Sequence, residues 1–193
     1  MKRWELINEY IHKYNFKSFL EIGHDKGETF GHIEIDLKES VDPNVTTNPT
    51  YIMSSDDFFE AYDNHYDIIF IDGLHEHSQV ARDIDNALLH LNQGGVIILH
   101  DCNPITEMQQ VHSYSYPGGI WTGDCWKAFV KYRYILNYEM YVWNYDFGCG
   151  VIDTNIKKST DTSTLPHIMA KMNYDGLNAH RMEWLNLQDH IPE

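Results

Sequence analysis

"YDIIFIDGLH", residues 66–75, is an apolar run that ends in an acid and an imidazole. A continuous apolar run is typical of a strand buried on both faces of a parallel sheet. A second run, "GGVIILHD" at residues 94–101, ends in the same way. Between the two, Val80, Ile84 and Leu88 recur at helical spacing. We therefore predict a strand–helix–strand unit whose strands are parallel neighbours in a doubly wound, mostly parallel α/β sheet.

The same patterns continue on both sides of this unit. They predict an N-terminal helix over residues 1–15, strands at "SFLEIG", "ESVDP" and residues 51–53, a helix starting near Ser54, and a closing antiparallel hairpin of "YVWNY" and "GCGVID". Residues 103–123 contain Pro and Gly without periodicity, which suggests a lid over a site or a disordered insertion. Residues 155–193 are expected to form a C-terminal loop and helix. We predict one domain over residues 1–193.

The amino-acid composition limits which macromolecules the protein is expected to bind and in which cellular setting it is expected to work. The chain has 14 Lys and Arg against 29 Asp and Glu, a formal net charge of −15. Nucleic acids and anionic membranes attract clustered cations, so we expect neither as a partner. Three cysteines without paired spacing favour free thiols in a reducing, cytoplasmic setting. Whether the protein forms a homo-oligomer is left open.

The first strand is followed by a glycine-containing turn. "EIGHDKG" occupies residues 21–27, and Asp42 ends the next strand about twenty residues later. Glycine allows a tight turn and close approach of a ligand to the backbone. An acid at the second position can accept hydrogen bonds from ribose, and the pattern lacks the third glycine of dinucleotide sites. The glycine-containing turn and Asp42 together favour a nucleoside ligand. The alternative is that the turn is only structural and Asp42 is a surface acid.

The ordered motifs resemble a known family. "FLEIGHDKGETF", "SVDPN", "SSDDFF", "YDIIFIDGLHEHSQVARDI" and "LNQGGVIILHD", within residues 16–104, resemble class I S-adenosylmethionine-dependent methyltransferases, and most closely methyltransferase family 24. The resemblance implies a seven-stranded sheet with its last strand antiparallel. It also implies S-adenosylmethionine across Glu21, Gly23 and Gly27, with ribose on Asp42, adenine near Ser55 and Asp56, and the methionine end near Asp72.

The two apolar runs explain why acids and imidazoles follow them. Neighbouring strands lie about 5 Å apart, so Asp72, His100 and Asp101 are expected to converge, with His75 just beyond. The spacing from Asp72 to His75 resembles an Asp-x-x-His base arrangement in one methyltransferase branch, and histidine has a suitable pKa for a general base. The alternative is that His75 caps the next helix or bridges to Asp72.

A divalent metal at Asp72, His100 and Asp101 is a second expectation for the same place. Some O-methyltransferases that this chain resembles bind such an ion with residues at the ends of the same two strands. Mg²⁺ prefers oxygen ligands, whereas a mixed histidine and carboxylate set suits a transition metal equally well. The alternative is that Asp101 caps a turn and His100 hydrogen-bonds within the sheet edge.

The sequence therefore predicts a methyltransferase that uses S-adenosylmethionine to methylate a hydroxyl on a small molecule or a glycan. An acceptor pocket lined by Trp121, Asp124, Trp126 and Lys127 is one interpretation of that segment, and a helix cap with core aromatics is the alternative. Two rival functions stay open: a catalytically silent module that binds S-adenosylmethionine, and a nicotinamide-dependent oxidoreductase.

Overall fold

The structure is a computed structural model that describes residues 1–111 and 119–191. Part of the predicted lid, residues 112–118, lies outside the described residues. Within them the helices are α1 Arg3–Tyr14, α2 Glu28–His32, α3 Ser55–Ala61, α4 His77–Leu89, α5 Cys125–Arg133, α6 Leu165–Met169 and α7 Tyr174–Leu185. The strands are β1 Ser18–Ile22, β2 Leu37–Val41, β3 Tyr66–Ile71, β4 Leu91–Leu99, β5 Tyr138–Trp143, β6 Cys149–Lys157 and β7 Leu187–Gln188.

All seven strands form one sheet in the order β2-β1-β3-β4-β6-β5-β7. β1 pairs in parallel with β2 and β3, and β3 pairs in parallel with β4. β6 runs antiparallel to both β4 and β5, while the two-residue β7 is parallel to β5. The predicted fold class is confirmed, with the antiparallel strand as β6, the last of the long strands along the chain.

Strand β3 is buried on both faces. Ile68 and Phe70 pack in a core cluster with α1, whereas Ile69 and Ile71 pack in a second cluster with α3, α4 and α5. Alternate side chains of a strand point to opposite faces, so helices must cover both sides of this sheet. This packing fixes the carboxyl ends of β3 and β4 next to each other.

One predicted strand is reduced to a single bridge. Tyr51 pairs in parallel with Val41, but no strand forms over residues 51–53. The reason is local: the Ser54 hydroxyl accepts a hydrogen bond from the backbone N–H of Asp57, at 3.1 Å, and so caps α3 directly after this segment. No helix in residues 1–111 and 119–191 is long and apolar enough to cross a membrane.

Candidate active site

A cavity of about 760 Å³ opens at the carboxyl ends of the parallel strands. This edge is where open α/β sheets bind ligands, and the volume suits a small-molecule site. Ile120, Trp121 and Phe147 add apolar wall from outside the strand ends. The polar residues in the wall are Asp25, Asp42, Asn44, Ser54, Ser55, Asp72, His75, Gln79, His100 and Asp101.

The β1 turn is folded tightly against the end of β3. Gly23 has φ +89°, and a Cβ added there would lie 2.1 Å from the Asp72 carbonyl oxygen. Only glycine is compatible with both the left-handed backbone and this close approach. Asp42 completes the turn, because its Oδ2 accepts the backbone N–H groups of His24 and Asp25 at 2.9 and 3.0 Å. Its Oδ1 accepts the backbone N–H of Asn44 at 2.8 Å.

Glu21 and His24 form a buried pair behind this turn. Glu21 Oε2 lies 2.9 Å from His24 Nδ1. Burial, together with the nearby carboxylates of Asp72 and Asp42, raises the pKa of Glu21 to about 8 despite the opposing charge of Arg3. Burial lowers the pKa of His24. Both shifts favour the neutral forms, so a hydrogen-bonded neutral pair supports the turn.

Two imidazoles and two carboxylates meet at the ends of β3 and β4. Asp72 Oδ1 lies 3.3 Å from His75 Nε2 and 3.2 Å from His100 Nδ1. Asp101 Oδ2 lies 3.2 Å from His75 Nδ1, and its Oδ1 lies 3.4 Å from His100 Nδ1. Asp101 holds its position with φ +59°, in the left-handed region that Asp and Asn tolerate best among side-chain residues.

The charges in this cluster set the pKa values of its members. Burial would raise the pKa of Asp72, but the imidazoles of His100 and His75 outweigh it and hold that pKa well below its ordinary value. Burial would lower the pKa of both histidines, but the carboxylates of Asp72 and Asp101 raise the pKa of His75 and, more strongly, of His100. His75 Nδ1 and His100 Nε2 are buried without a hydrogen-bond partner among the described residues.

The loop carrying His75 is clamped from the start of α5. The backbone N–H of Asp124 donates to the His75 carbonyl oxygen at 3.2 Å. The buried Asp124 carboxylate accepts the backbone N–H of His77 at 2.7 Å. A Cβ on Gly123, whose φ is +59°, would lie 1.9 Å from the His75 carbonyl oxygen. Trp121 stacks on the His75 ring, with centroids 4.9 Å apart.

Arg3 enters the site from the N-terminal helix, and sequence reasoning did not identify it. Its Nε lies 3.8 Å from Asp72 Oδ2 and donates to the Thr29 hydroxyl at 2.7 Å. Asp146 Oδ2 accepts the Arg3 backbone N–H at 2.9 Å and its Nη1 at 3.3 Å. Asp146, Phe147 and Gly148 all have positive φ. No local pattern signals these contacts, since these partners of Arg3 are 26 to 143 residues away in the sequence.

The structure brings most, but not all, of the predicted site residues to one cavity. Those in its wall are Gly23, Asp42, Ser55, Asp72, His75, His100 and Asp101. Three predicted cofactor-binding residues are not in its wall. Glu21, within β1, contacts the Nδ1 side of the His24 ring. Gly27 lies on the Nε2 side of the same ring, where a Cβ added to Gly27 would be 2.8 Å from His24 Nε2. Asp56 is exposed, with Oδ2 3.4 Å from the Nε of Arg82.

The donor set for a metal ion differs in one member from the prediction. Asp72, His75 and Asp101 each offer one ligand atom, and these atoms lie within 4.8 Å of one another. The predicted set had His100 in place of His75. The three donors comprise two carboxylate oxygens and one imidazole nitrogen, which is a combination that several divalent metals accept.

Three solved structures with a similar fold carry the names of methyltransferases. A Staphylococcus aureus protein assigned as a caffeoyl-CoA O-methyltransferase matches with a TM-score of 0.57 and 19% identity, over 78% of this chain and 82% of that one. An O-methyltransferase from Bacillus cereus, in complex with SAH, matches with a TM-score of 0.52 and 12% identity, over 78% and 80%. TomG from Streptomyces achromogenes, an O-methyltransferase in complex with SAM, matches with a TM-score of 0.53 and 12% identity, over 79% of each chain.

At these identities the likeness shows the fold alone. The family comparison adds to it, because residues 34–102 match the model of a family described as a methyltransferase domain. The predicted family is confirmed over the segment that matches, residues 34–102. The predicted enzyme class, a methyltransferase, is confirmed with it. A search of curated protein sequences finds no match.

Proposed function

We propose that the protein transfers the methyl group of S-adenosylmethionine to a hydroxyl group of a small molecule, with His75 as the general base. One observation carries the proposal: the glycine turn, Asp42 and the Asp72–His75–Asp101 cluster all face one cavity at the carboxyl edge of the sheet. A nucleoside-binding half and a proton-accepting half thus share one space. That arrangement suits a reaction between a nucleoside donor and a bound acceptor.

The residues that line the cavity support S-adenosylmethionine as the ligand. Gly23 keeps the β1 turn free of side chain, Asp42 lies where ribose hydroxyls would bind, and Ser55 lies near the expected adenine position. S-adenosylmethionine carries a sulfonium and an ammonium against one carboxylate. A wall containing Asp25, Asp42, Asp72 and Asp101 complements that excess of positive charge.

His75 has the geometry of a general base. When Nε2–H faces Asp72 Oδ1, at 3.3 Å, Nδ1 carries the lone pair. That nitrogen has no hydrogen-bond partner among the described residues, and Asp101 Oδ2, at 3.2 Å, favours its protonation. As the acceptor oxygen bonds to the methyl carbon, the carbon–sulfur bond breaks. The hydroxyl proton passes to His75, and S-adenosylhomocysteine leaves as the thioether.

A divalent cation is a second way to activate the acceptor, and the donor set of Asp72, His75 and Asp101 favours it. The predicted set with His100 also stays a proposal, since His100 Nδ1 lies 3.2 and 3.4 Å from oxygens of Asp72 and Asp101. When bound, such an ion would stabilise the developing negative charge on the acceptor oxygen. The nitrogen donor favours a transition metal, whereas the two carboxylates alone would also suit Mg²⁺.

Calorimetric titration with S-adenosylhomocysteine and, separately, with NAD tests the donor. We expect binding of the first and none of the second, and the reverse result would support an oxidoreductase. His75→Ala tests the base: turnover over a panel of phenols, alcohols and sugars should fall by about 10²–10⁴-fold, with S-adenosylhomocysteine affinity retained. His65→Ala, an exposed histidine at the amino end of β3, is the matched control.

Two further outcomes separate the alternatives. A protein that binds S-adenosylhomocysteine but methylates nothing across the panel would support the silent binding module. Removal of metal by a chelator, followed by addition of Mg²⁺, Mn²⁺ or Zn²⁺ with elemental analysis of the bound ion, distinguishes the cation from the base. Unchanged turnover after chelation, with no metal bound, would leave His75 as the sole activating group.

A further inference from the structure

We infer that Arg3 binds the carboxylate of the amino-acid end of the methyl donor, an inference that rests on the proposed function. The Arg3 side chain is only 16% exposed, so its charge is held inside the fold. It lies beside Asp72, a residue of the cavity wall, at the end of the strand that also provides the proposed base. A fixed cation at this place is suited to an anionic group of a ligand.

The guanidinium has donors to spare. Nε donates to the Thr29 hydroxyl and Nη1 to Asp146 Oδ2. Nη2 makes no hydrogen bond to the described residues; its ion pair with Glu28 Oε2 is 3.7 Å long, and the Glu28 side chain is 60% exposed. A ligand carboxylate can therefore take the Nη donors in place of a loosely held, solvent-facing glutamate.

The pair of Arg3 and Asp72 also has the polarity of an α-amino acid. Arg3 Nε and Asp72 Oδ2 are 3.8 Å apart, beyond hydrogen-bond distance, while Asp72 Oδ1 is the oxygen that faces the two imidazoles. Asp72 Oδ2 therefore has capacity left for an ammonium group. An adjacent ammonium and carboxylate, as in the methionine end of the donor, match an adjacent aspartate and arginine.

The geometry of Arg3 is fixed from elsewhere in the fold, which favours recognition over a loose surface contact. Its backbone N–H and Nη1 both reach Asp146 Oδ2, and the Asp146 side chain is 3% exposed. Asp146 belongs to the turn whose next residue, Phe147, lines the cavity. The same turn therefore places the cation and part of the cavity wall.

Binding of two ligands to matched variants tests the inference. S-adenosylhomocysteine and its decarboxylated analogue differ only in the carboxylate, and both are titrated by calorimetry. Arg3→Gln should weaken S-adenosylhomocysteine by about 10- to 100-fold and change the analogue by less than about 3-fold. Arg3→Lys, which keeps the charge but loses the forked donors, should give an intermediate loss confined to S-adenosylhomocysteine.

Lys2→Gln is the matched control. Lys2 lies 3.7 Å from Asp146 Oδ1, but its side chain is 54% exposed and it does not contact Asp72. It should change neither affinity. Equal weakening of both ligands in the two Arg3 variants would overturn the inference, because Arg3 would then act only on the fold. If the wild-type protein bound neither ligand, the proposed donor site would be wrong. Both the proposed function and the inference about Arg3 would then be overturned.

Discussion

The two halves of the cavity use their carboxylates differently. At the ends of β1 and β2, the Asp42 carboxylate accepts hydrogen bonds from three backbone N–H groups. Two belong to the turn after β1 and one to the turn after β2. At the ends of β3 and β4, His75 Nδ1 and His100 Nε2 are buried without a hydrogen-bond partner among the described residues. In the first half the Asp42 carboxylate already accepts hydrogen bonds from the backbone. In the second half two imidazole nitrogens have no hydrogen-bond partner among the described residues.

This difference separates binding from chemistry. A carboxylate tied to backbone N–H groups fixes a loop before the ligand arrives, so little ordering is left to be done on binding. A buried polar atom without a partner costs free energy, and native proteins keep such atoms mostly where they have a role. We therefore expect substitutions in the first half to change affinity and those in the second to change rate.

The largest expected effect comes from Gly123→Ala. The added Cβ would collide with the His75 carbonyl and displace the proposed base. Because displacements of about 1 Å can cost about 100-fold in rate, turnover should fall at least that far, while S-adenosylhomocysteine affinity changes little. Gly31→Ala is the control, since nothing lies within 4 Å of its Cβ. Retained turnover in Gly123→Ala would remove the clamp from the mechanism.

Asp42→Asn should have the opposite signature. It removes the negative charge that accepts three N–H groups, so S-adenosylhomocysteine affinity should fall by about 10- to 100-fold. Turnover at saturating donor should change by less than about 3-fold. Calorimetry and steady-state kinetics measure the two, and the exposed Asp36→Asn serves as control. A loss confined to turnover would contradict the division between the halves.

Asp101→Asn tests how the carboxylates tune the base. Asparagine tolerates the left-handed backbone at this position. A general base works when deprotonated, and Asp101 helps to raise the pKa of His75, so the acid limb of the rate profile should lie above the ordinary histidine range. Without that charge the pKa of His75 falls, and the limb should move to lower pH. A limb that stays in place would exclude His75 as the titrating group.

Glu21→Gln should give the smallest effect, on stability rather than rate. The pKa of Glu21 is about 8 in the folded protein, above its unfolded value. Its contribution to stability is therefore complete at low pH and is lost as pH rises toward 8. Between pH 6 and 7 the loss is about 1 kcal/mol, and Gln should abolish this slope in urea melts. An unchanged slope would contradict a neutral buried pair; Glu60→Gln, at an exposed position, is the control.

Apolar runs and helical spacing were enough to predict the sheet and the edge that carries the site. Residues 66–71 and 96–99 have few alternatives to buried parallel strands, and the topology then dictates where Asp72 and Asp101 lie. The segment at 51–53 was predicted less well. Pairing there competes with the cap of α3, and only one bridge forms.

The finer roles within the site depend on tertiary contacts. The sequence places Glu21 next to the turn, but the strand buries its side chain against His24. Trp121 stacks on His75, although a helix and a strand separate the two residues in the sequence. No local sequence pattern predicts how those elements are arranged relative to each other. Sequence spacing predicts the strand end at which a residue lies. It does not predict the residues with which that side chain forms hydrogen bonds.

The contact between Arg3 and Asp146 has a consequence for how the protein matures. Its partners are 143 residues apart in the chain, so the contact closes a long loop. Contacts of such separation form late, because loop closure must precede them. Docking of Arg3 should thus be a late event in folding, and the proposed donor site would be complete only after it.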